Sequence, residues 1–344
     1  NWVWPRHTGD FAMFRIYADK NNKPAEFSED NIPFTPKHFL PISIKDKKED
    51  DFTFVFGFPG RTTEYLPAIA VEKIMNETDP AMIAVRDVAL KTLDEKMRVD
   101  QATKSKYVSK FASVANYWKK WIGEVEGLKK SNAVGKKQQY EQTLIAKNPA
   151  IKPTIESLNH KYNEQAPYNL NKAYYTEVVR NAETLNFASI FTNYIESVEA
   201  GRMDTKALNA LKNRLKGMYK NYDAELDAKV TGKVLSLYAN KSTAQFLPQN
   251  LNQFKDVNQS LQTIEGLSKN SVITGRGNLN GATVYSNIDQ IFADQNALIK
   301  NLKSDPIMQL FANMKSTYVA TTEAKVSSLQ ADIDALQKKF MAQQ

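Results

Sequence analysis

The chain has no cysteine, only three histidines, and no apolar run of the roughly 18 residues needed to cross a bilayer as a helix. Without cysteine there are no disulfides, no thiolate catalysis and no cysteine-held metals, although the redox compartment stays open. The histidines include no pair at i, i+4, and no acidic loop has EF-hand spacing, so neither a structural metal nor a cofactor is expected. Nothing near the start combines a basic patch, an apolar stretch and a small-residue cleavage site. The first residue is Asn1 rather than methionine, so the chain reads as a processed or excised segment, and no membrane association is expected.

What is present is globular in character. Of the 344 residues, 42% are hydrophobic and 24% charged, enough apolar content for a sizeable core in one large domain or two ordinary ones. The net charge of +8 permits an acidic partner, but its distribution argues against nucleic acid. The first sixty residues carry 8 Lys/Arg against 9 Asp/Glu, and the excess in the remainder is spread along helices with acids interleaved.

Two textures divide the chain. Up to Arg61, period-two alternation in "FAMFRIYA", "HFLPISI" and "DFTFVFGFPG" predicts three strands, separated by Pro, Asn, Asp and Lys clusters. Both faces of the first are largely apolar, which suggests a barrel or sandwich rather than a sheet with one wet side. Three strands leave open edges, so they need partner strands from elsewhere. After "GFPGRTTEYLP" the period changes to about 3.6. Asp79-Pro80 reads as a helix start, followed by a face of Met82, Val85, Ala89, Leu93 and Met97. The next helix carries a seam of Val108, Phe111, Ala115, Trp118, Ile122 and Val125. Further helices are predicted near 169–199, 204–221, 223–240, 251–268 and 288–344, the last broken near Pro306. The expected fold is therefore mainly α: a large helical domain over 63–344, joined to part of a β-barrel over 1–62.

Asp10 stands at the start of the first predicted strand, in "GDFAMFRI", and this stretch resembles the segment that carries the buried aspartate of trypsin-like proteases. In such a site the aspartate accepts the base histidine's Nδ1–H, fixes its tautomer and stabilises the imidazolium. The longer combination "NWVWPRHTGDFAMFRIYAD", "TPKHFLPIS", "GFPGRTTEYLP" and "YVSKFASVANYWKKWIGEVEGLKK" resembles the bacterial serine exopeptidases of the dipeptidyl-peptidase 7 and 11 family, over the whole chain. The resemblance implies a helical domain inserted between two trypsin-like barrels and roofing the cleft, with removal of dipeptides from the free N-terminus of oligopeptides by serine attack. It implies Asp10 as the triad aspartate, and Asn1, Trp2 and Asn116 as the residues that contact the substrate's α-amino group and adjoining backbone. It also implies a homodimer for the complete protein and a periplasmic or cell-surface location. Residue chemistry agrees in part for Asn116. Asparagine is a poor helix former, yet this one sits mid-helix, where a side-chain carbonyl pointing outward would accept from an ammonium.

The other triad members are not evident. His7 is too near Asp10 along extended chain to face it, His38 precedes a predicted strand, and His160 lies on a predicted helix; no Gly-x-Ser-Gly turn occurs. The chain alone is therefore expected to lack peptidase activity. "TGRGNLNGAT" has Asn280 where the dinucleotide fingerprint needs its third glycine, and reads as a turn between helices. The cluster Tyr107, Phe111, Tyr117, Trp118 and Trp121 reads mostly as core, with one ring facing the cleft. The competing class is a non-catalytic helical interaction or scaffold protein with the β segments as a docking tail.

Overall fold

The computed structural model describes residues 12–54, 63, 65–274 and 288–344. The chain divides into two compact units, Asn1–Glu64 and Tyr65–Gln344.

In the first unit, the only strands among the described residues are β1 (Tyr17–Ala18) and β2 (Ile32–Pro33), paired antiparallel with Tyr17 opposite Pro33. The loop between them is organised by its polar side chains. Asp19 Oδ1 accepts from the amides of Asn21 and Lys23, and Asn22, at φ 61°, bonds through its side-chain amide to both the N–H and the C=O of Thr35. Asparagine tolerates that left-handed conformation better than most residues. Of the three expected strands, the first is paired over Tyr17–Ala18 alone; residues 38–44 and 51–54 have no strand pairing, and residues 11 and 55–60 lie outside the described residues. The physical reason is visible in the side chains. Met13, Phe14, Phe27, Ile42, Ile44 and Phe52 are each at least 89% exposed, so β-forming residues stand without the apolar neighbours and paired edges that hold a strand in a sheet.

Among the described residues of the second unit, the regular elements are all helices. Its elements are α1 (Ala68–Lys73), α2 (Asp79–Met97), α3 (Gln101–Lys130), α4 (Ala133–Lys147), α5 (Lys152–Asn181), α6 (Glu183–Glu199) and α7 (Thr205–Tyr219). They continue with α8 (Ala224–Lys241), α9 (Val257–Lys269), α10 (Ile288–Ile291), α11 (Gln295–Ser304), α12 (Pro306–Tyr318) and α13 (Ala324–Gln343). Aspartates set many of the starts: Asp100, Asp204, Asp223, Asp256, Asp294 and Asp305 each accept a first-turn amide, satisfying donors that have no intrahelical partner. The break expected near Pro306 is found there, with Asp305 as the cap.

Asp79 is not a helix cap. A π-helical turn, Ile74–Thr78, joins α1 to α2 without interruption, and Asp79 lies inside the helical run with αR backbone. Pro80 has no N–H and its ring crowds the preceding turn, and the wider π turn just before it accommodates both. The expected apolar face of α2 is present, with Val85, Ala89, Leu93 and Met97 buried and Met82 half-buried.

Helix α5 runs through the middle, packing against α2, α6, α8 and α13. Its two halves serve two cores. The main one joins α2, α6, α8 and α12, with Phe187 stacked on Tyr219 at 4.2 Å and meeting Tyr222 edge-on at 5.1 Å. The smaller one gathers Leu144, Leu158, Ile333 and Phe340 from α4, α5 and α13, with Ile151 from the turn that precedes α5. A helix buried on several sides carries no clean amphipathic stripe. Among the described residues, no helix is long and apolar enough to cross a membrane.

Candidate functional site

Helix α3 carries Asn116, so the site is built from how α3 is held. It lies along α2, with its buried face turned partly away from the expected seam, of which Ala115 and Val125 are buried as expected. Tyr107, Val114, Trp121 and Val125 face inward, whereas Val108 is 52% exposed and Phe111, Trp118 and Ile122 are half-buried. Polar chemistry accounts for the rotation. Arg86 of α2 is 3% exposed, and its guanidinium forks onto Glu177 of α5 through Nε at 2.6 Å and Nη2 at 3.2 Å, with Nη1 donating to the Val114 carbonyl of α3 at 3.0 Å. The rings of Trp121 and Tyr117 cover that guanidinium at 4.8 and 5.4 Å. Charge-assisted bonds and cation–π contact thus draw the Tyr117–Trp121 side of α3 toward α2.

At this anchor α2, α3, α5, α6 and α7 line a cleft of about 470 Å³. Tyr107, Lys110 and Glu183 form its deep wall. The Tyr107 hydroxyl donates to Glu183 Oε2 at 2.9 Å and accepts from the Asp223 amide at 2.8 Å, while Lys110 Nζ stands 2.9 Å from Glu183 Oε2. Burial pushes the Glu183 carboxyl above its usual range, against the opposing pull of Lys110, and burial together with Glu183 and Asp227 raises the Tyr107 phenol well above its ordinary value. Behind that wall Asp227 of α8 accepts from the Glu183 and Thr184 amides at the start of α6. This cap from a neighbouring helix fixes the turn between α5 and α6.

Asn116 is exposed, midway along α3. Ser109, seven residues earlier, shares its strip of the helix and lines the cleft together with Ser113 and Tyr117, while Asn116 lies just beyond that lining. Nothing in the fold occupies its side chain with another partner among the described residues, so the amide is presented outward, as required of a group that accepts from a ligand. The other expected site residues, Asn1, Trp2 and Asp10, lie outside the described residues, as do His7 and the "GRGNLNGAT" stretch from Gly275. His38 and His160 are both exposed. Of the aromatic cluster, Trp121 is buried, and Tyr107 and Tyr117 both face the cleft, Tyr117 being 54% exposed. Among the described residues no group of three His, Asp or Glu could hold a metal ion.

Sequence reasoning missed the Arg86–Glu177 pair and the charged cleft. A signal for the first was available: Arg86 follows Val85 directly on the apolar face of α2, where an unpaired guanidinium is not tolerated. Its partner, 91 positions away, carries no local mark.

Comparison with known proteins places the fold and the lineage. The structure of Porphyromonas endodontalis DPP11 in complex with the dipeptide Arg-Glu is similar at a TM-score of 0.73 and 21% identity, covering 100% of this chain and 49% of that one. The Asp/Glu-specific dipeptidyl-peptidase of Flavobacterium psychrophilum is 40% identical over 100% of this chain. Dipeptidyl-peptidase 7 of Porphyromonas gingivalis is 38% identical over 72% of it. The chain spans 48% of the length of the first of these relatives and 35% of the second. The Peptidase S46 profile matches residues 1–344, and with a relative this similar along its whole length the chain belongs to the Peptidase S46 family.

Proposed function

We propose that this chain is the aspartate-bearing and helical portion of a serine exopeptidase that releases dipeptides from the free N-terminus of oligopeptides. Asp10 orients a histidine supplied from outside these residues, and a serine also supplied from outside attacks the second peptide bond. Asn116, with Asn1 and Trp2, anchors the substrate's α-ammonium. A helical roof closing over that ammonium makes longer upstream extensions clash, and a blocked amine loses its anchor, so the enzyme counts two residues. The observation that carries this reading is the outward-facing Asn116 on the well-anchored α3, in a chain whose family relatives are named dipeptidyl peptidases.

The chain by itself is inactive on this reading, because it offers no histidine suited to Asp10 and no Gly-x-Ser-Gly turn. The complete enzyme is a homodimer in the periplasm or at the cell surface, without cofactor. The test is hydrolysis of a dipeptidyl reporter. The complete enzyme is expected to cleave it, to be labelled by a serine-directed fluorophosphonate, and to lose activity on Asp10→Asn. Hydrolysis by the 344-residue chain alone, abolished by Asp10→Asn, would overturn the assignment of the missing partners.

A further inference from the structure

A side chain on a helix is aimed by the rotation of that helix about its own axis. Side-chain tips stand about 5–6 Å from the axis, so a turn of about 20° carries the amide of Asn116 roughly 2 Å. A misplacement of about 1 Å at a binding group is enough to cost a large factor in rate. Apolar packing does not fix the rotation of α3 closely, since Val108 is 52% exposed and Phe111, Trp118 and Ile122 are only half-buried. Tyr107 ties α3 to Glu183 and to the Asp223 amide, but it does so nine positions before Asn116.

Arg86 acts much closer. Its Nη1 donates to the Val114 carbonyl at 3.0 Å, two positions from Asn116, and its guanidinium lies 5.4 Å from the Tyr117 ring and 4.8 Å from the Trp121 ring. Val114, Tyr117 and Trp121 are spaced 3 and 4, so they share one strip of α3, and a single cation grips that strip. Asn116 lies beside the strip, about 100° round the helix from Tyr117. A carbonyl oxygen has two lone pairs, so Val114 accepts this bond without leaving the helix ladder. The guanidinium is itself fixed. Glu177 takes Nε at 2.6 Å and Nη2 at 3.2 Å, and the Asn181 side chain donates to Glu177 Oε2 at 3.0 Å. Arg86 and Glu177 are each 3% exposed and spend their polar atoms on one another and on α3, so they act on a substrate only through another residue. We propose that Arg86 is a positioning residue of the exopeptidase: it sets the rotation of α3 that aims Asn116 at the substrate's ammonium, with Glu177 and Asn181 holding the guanidinium in place. This role rests on the assignment of Asn116 as the amine anchor. It calls for a planar fork with a third donor, which a lysine ammonium does not supply.

The test is kcat/KM of the complete enzyme on dipeptidyl reporters with a free and with an acetylated N-terminus, the ratio of the two reading amine preference. Arg86→Met combined with Glu177→Leu removes both charges together, so no buried ion is stranded. This double variant is expected to melt close to the parent yet to lose about tenfold or more of the preference, all of it on the free-amine reporter. Adding Asn116→Ala should then cost little more, because both changes remove the same contact. Gly232→Ala, which overpacks the α8–α9 contact, should lower the melting temperature and keep the preference. Arg86→Lys keeps the charge without the fork and should lose part of the preference; it decides the matter if the double variant does not fold. Parental preference in the folded double variant or in Arg86→Lys would overturn the proposal. So would a full further loss on adding Asn116→Ala, or an equal loss of preference in Gly232→Ala. In each of these cases the amine anchor stands as long as Asn116→Ala alone lowers the preference; if it does not, the anchor falls and this role of Arg86 with it.

Discussion

Arg86 and Glu177, 91 positions apart and each 3% exposed, form a forked ion pair at 2.6 and 3.2 Å that ties α2 to α5 while the same guanidinium holds a carbonyl of α3. Three helices meet on one side chain. Removing either partner strands a buried charge, so Arg86→Met or Glu177→Leu alone should lower stability by about 3–5 kcal/mol. The double variant should recover much of that loss, since no charge remains uncompensated. Denaturant unfolding of the two singles and the double checks this, and additive losses would contradict it.

Asp79 gives a pH dependence with a definite sign. It is 3% exposed, its Oδ2 has no hydrogen-bond partner, and burial, reinforced by Glu124 and opposed by Lys120, raises its carboxyl to about 7. The folded-state value lies above the unfolded one, so the native state binds the proton more tightly. The contribution of this group is fully present below about pH 4, falls as pH rises toward about 7, and is level above that. Asp79→Asn, which never ionises, should therefore raise the melting temperature at pH 8 by about 2 °C or more and change it little at pH 4. Equal shifts at both pH values would contradict the assignment.

Helices α8 and α9 approach closely at Gly232. A Cβ there would meet the Leu261 Cα at 3.0 Å and its amide nitrogen at 3.2 Å, backbone atoms that cannot swing aside, and Ser260 Oγ donates to the Gly232 carbonyl at 2.6 Å across the same contact. Gly232→Ala should cost about 1–3 kcal/mol by overpacking, despite the better helix propensity of alanine. Thermal melting of this variant beside Gly266→Ala, where a Cβ meets nothing within 4 Å, separates packing from propensity.

The sequence was most informative where one side of a helix decides its position. The face of α2 through Val85, Ala89, Leu93 and Met97, and the break before Pro306, follow from local spacing and backbone chemistry alone. The seam of α3 did so only in part: Ala115 and Val125 are buried as expected, but hydrophobicity ranks Val108 above a tyrosine whose hydroxyl must reach Glu183, and the attraction of Trp121 to Arg86 has no periodicity. Helix α5 was only half legible, being buried on several sides. The first β-forming segment reads as apolar on both faces, but alternation marks a capacity to pair, and pairing requires partners that spacing does not supply. For the site, Asn116 was singled out by the family resemblance, with its place in mid-helix agreeing only in part, whereas the cleft beside it is assembled from five helices and exists only in three dimensions.

The anchoring of a substrate amine by Asn116 is the claim on which the exopeptidase account turns. The decisive measurement is kcat/KM of the complete enzyme on a dipeptidyl reporter, for the parent and for Asn116→Ala, each with a free and with an acetylated N-terminus. The account predicts that the parent prefers the free amine and that Asn116→Ala loses about tenfold or more on that substrate alone, as removal of a bond to a charged group implies. An unchanged specificity constant in Asn116→Ala, or equal cleavage of free and acetylated reporters by the parent, would contradict it.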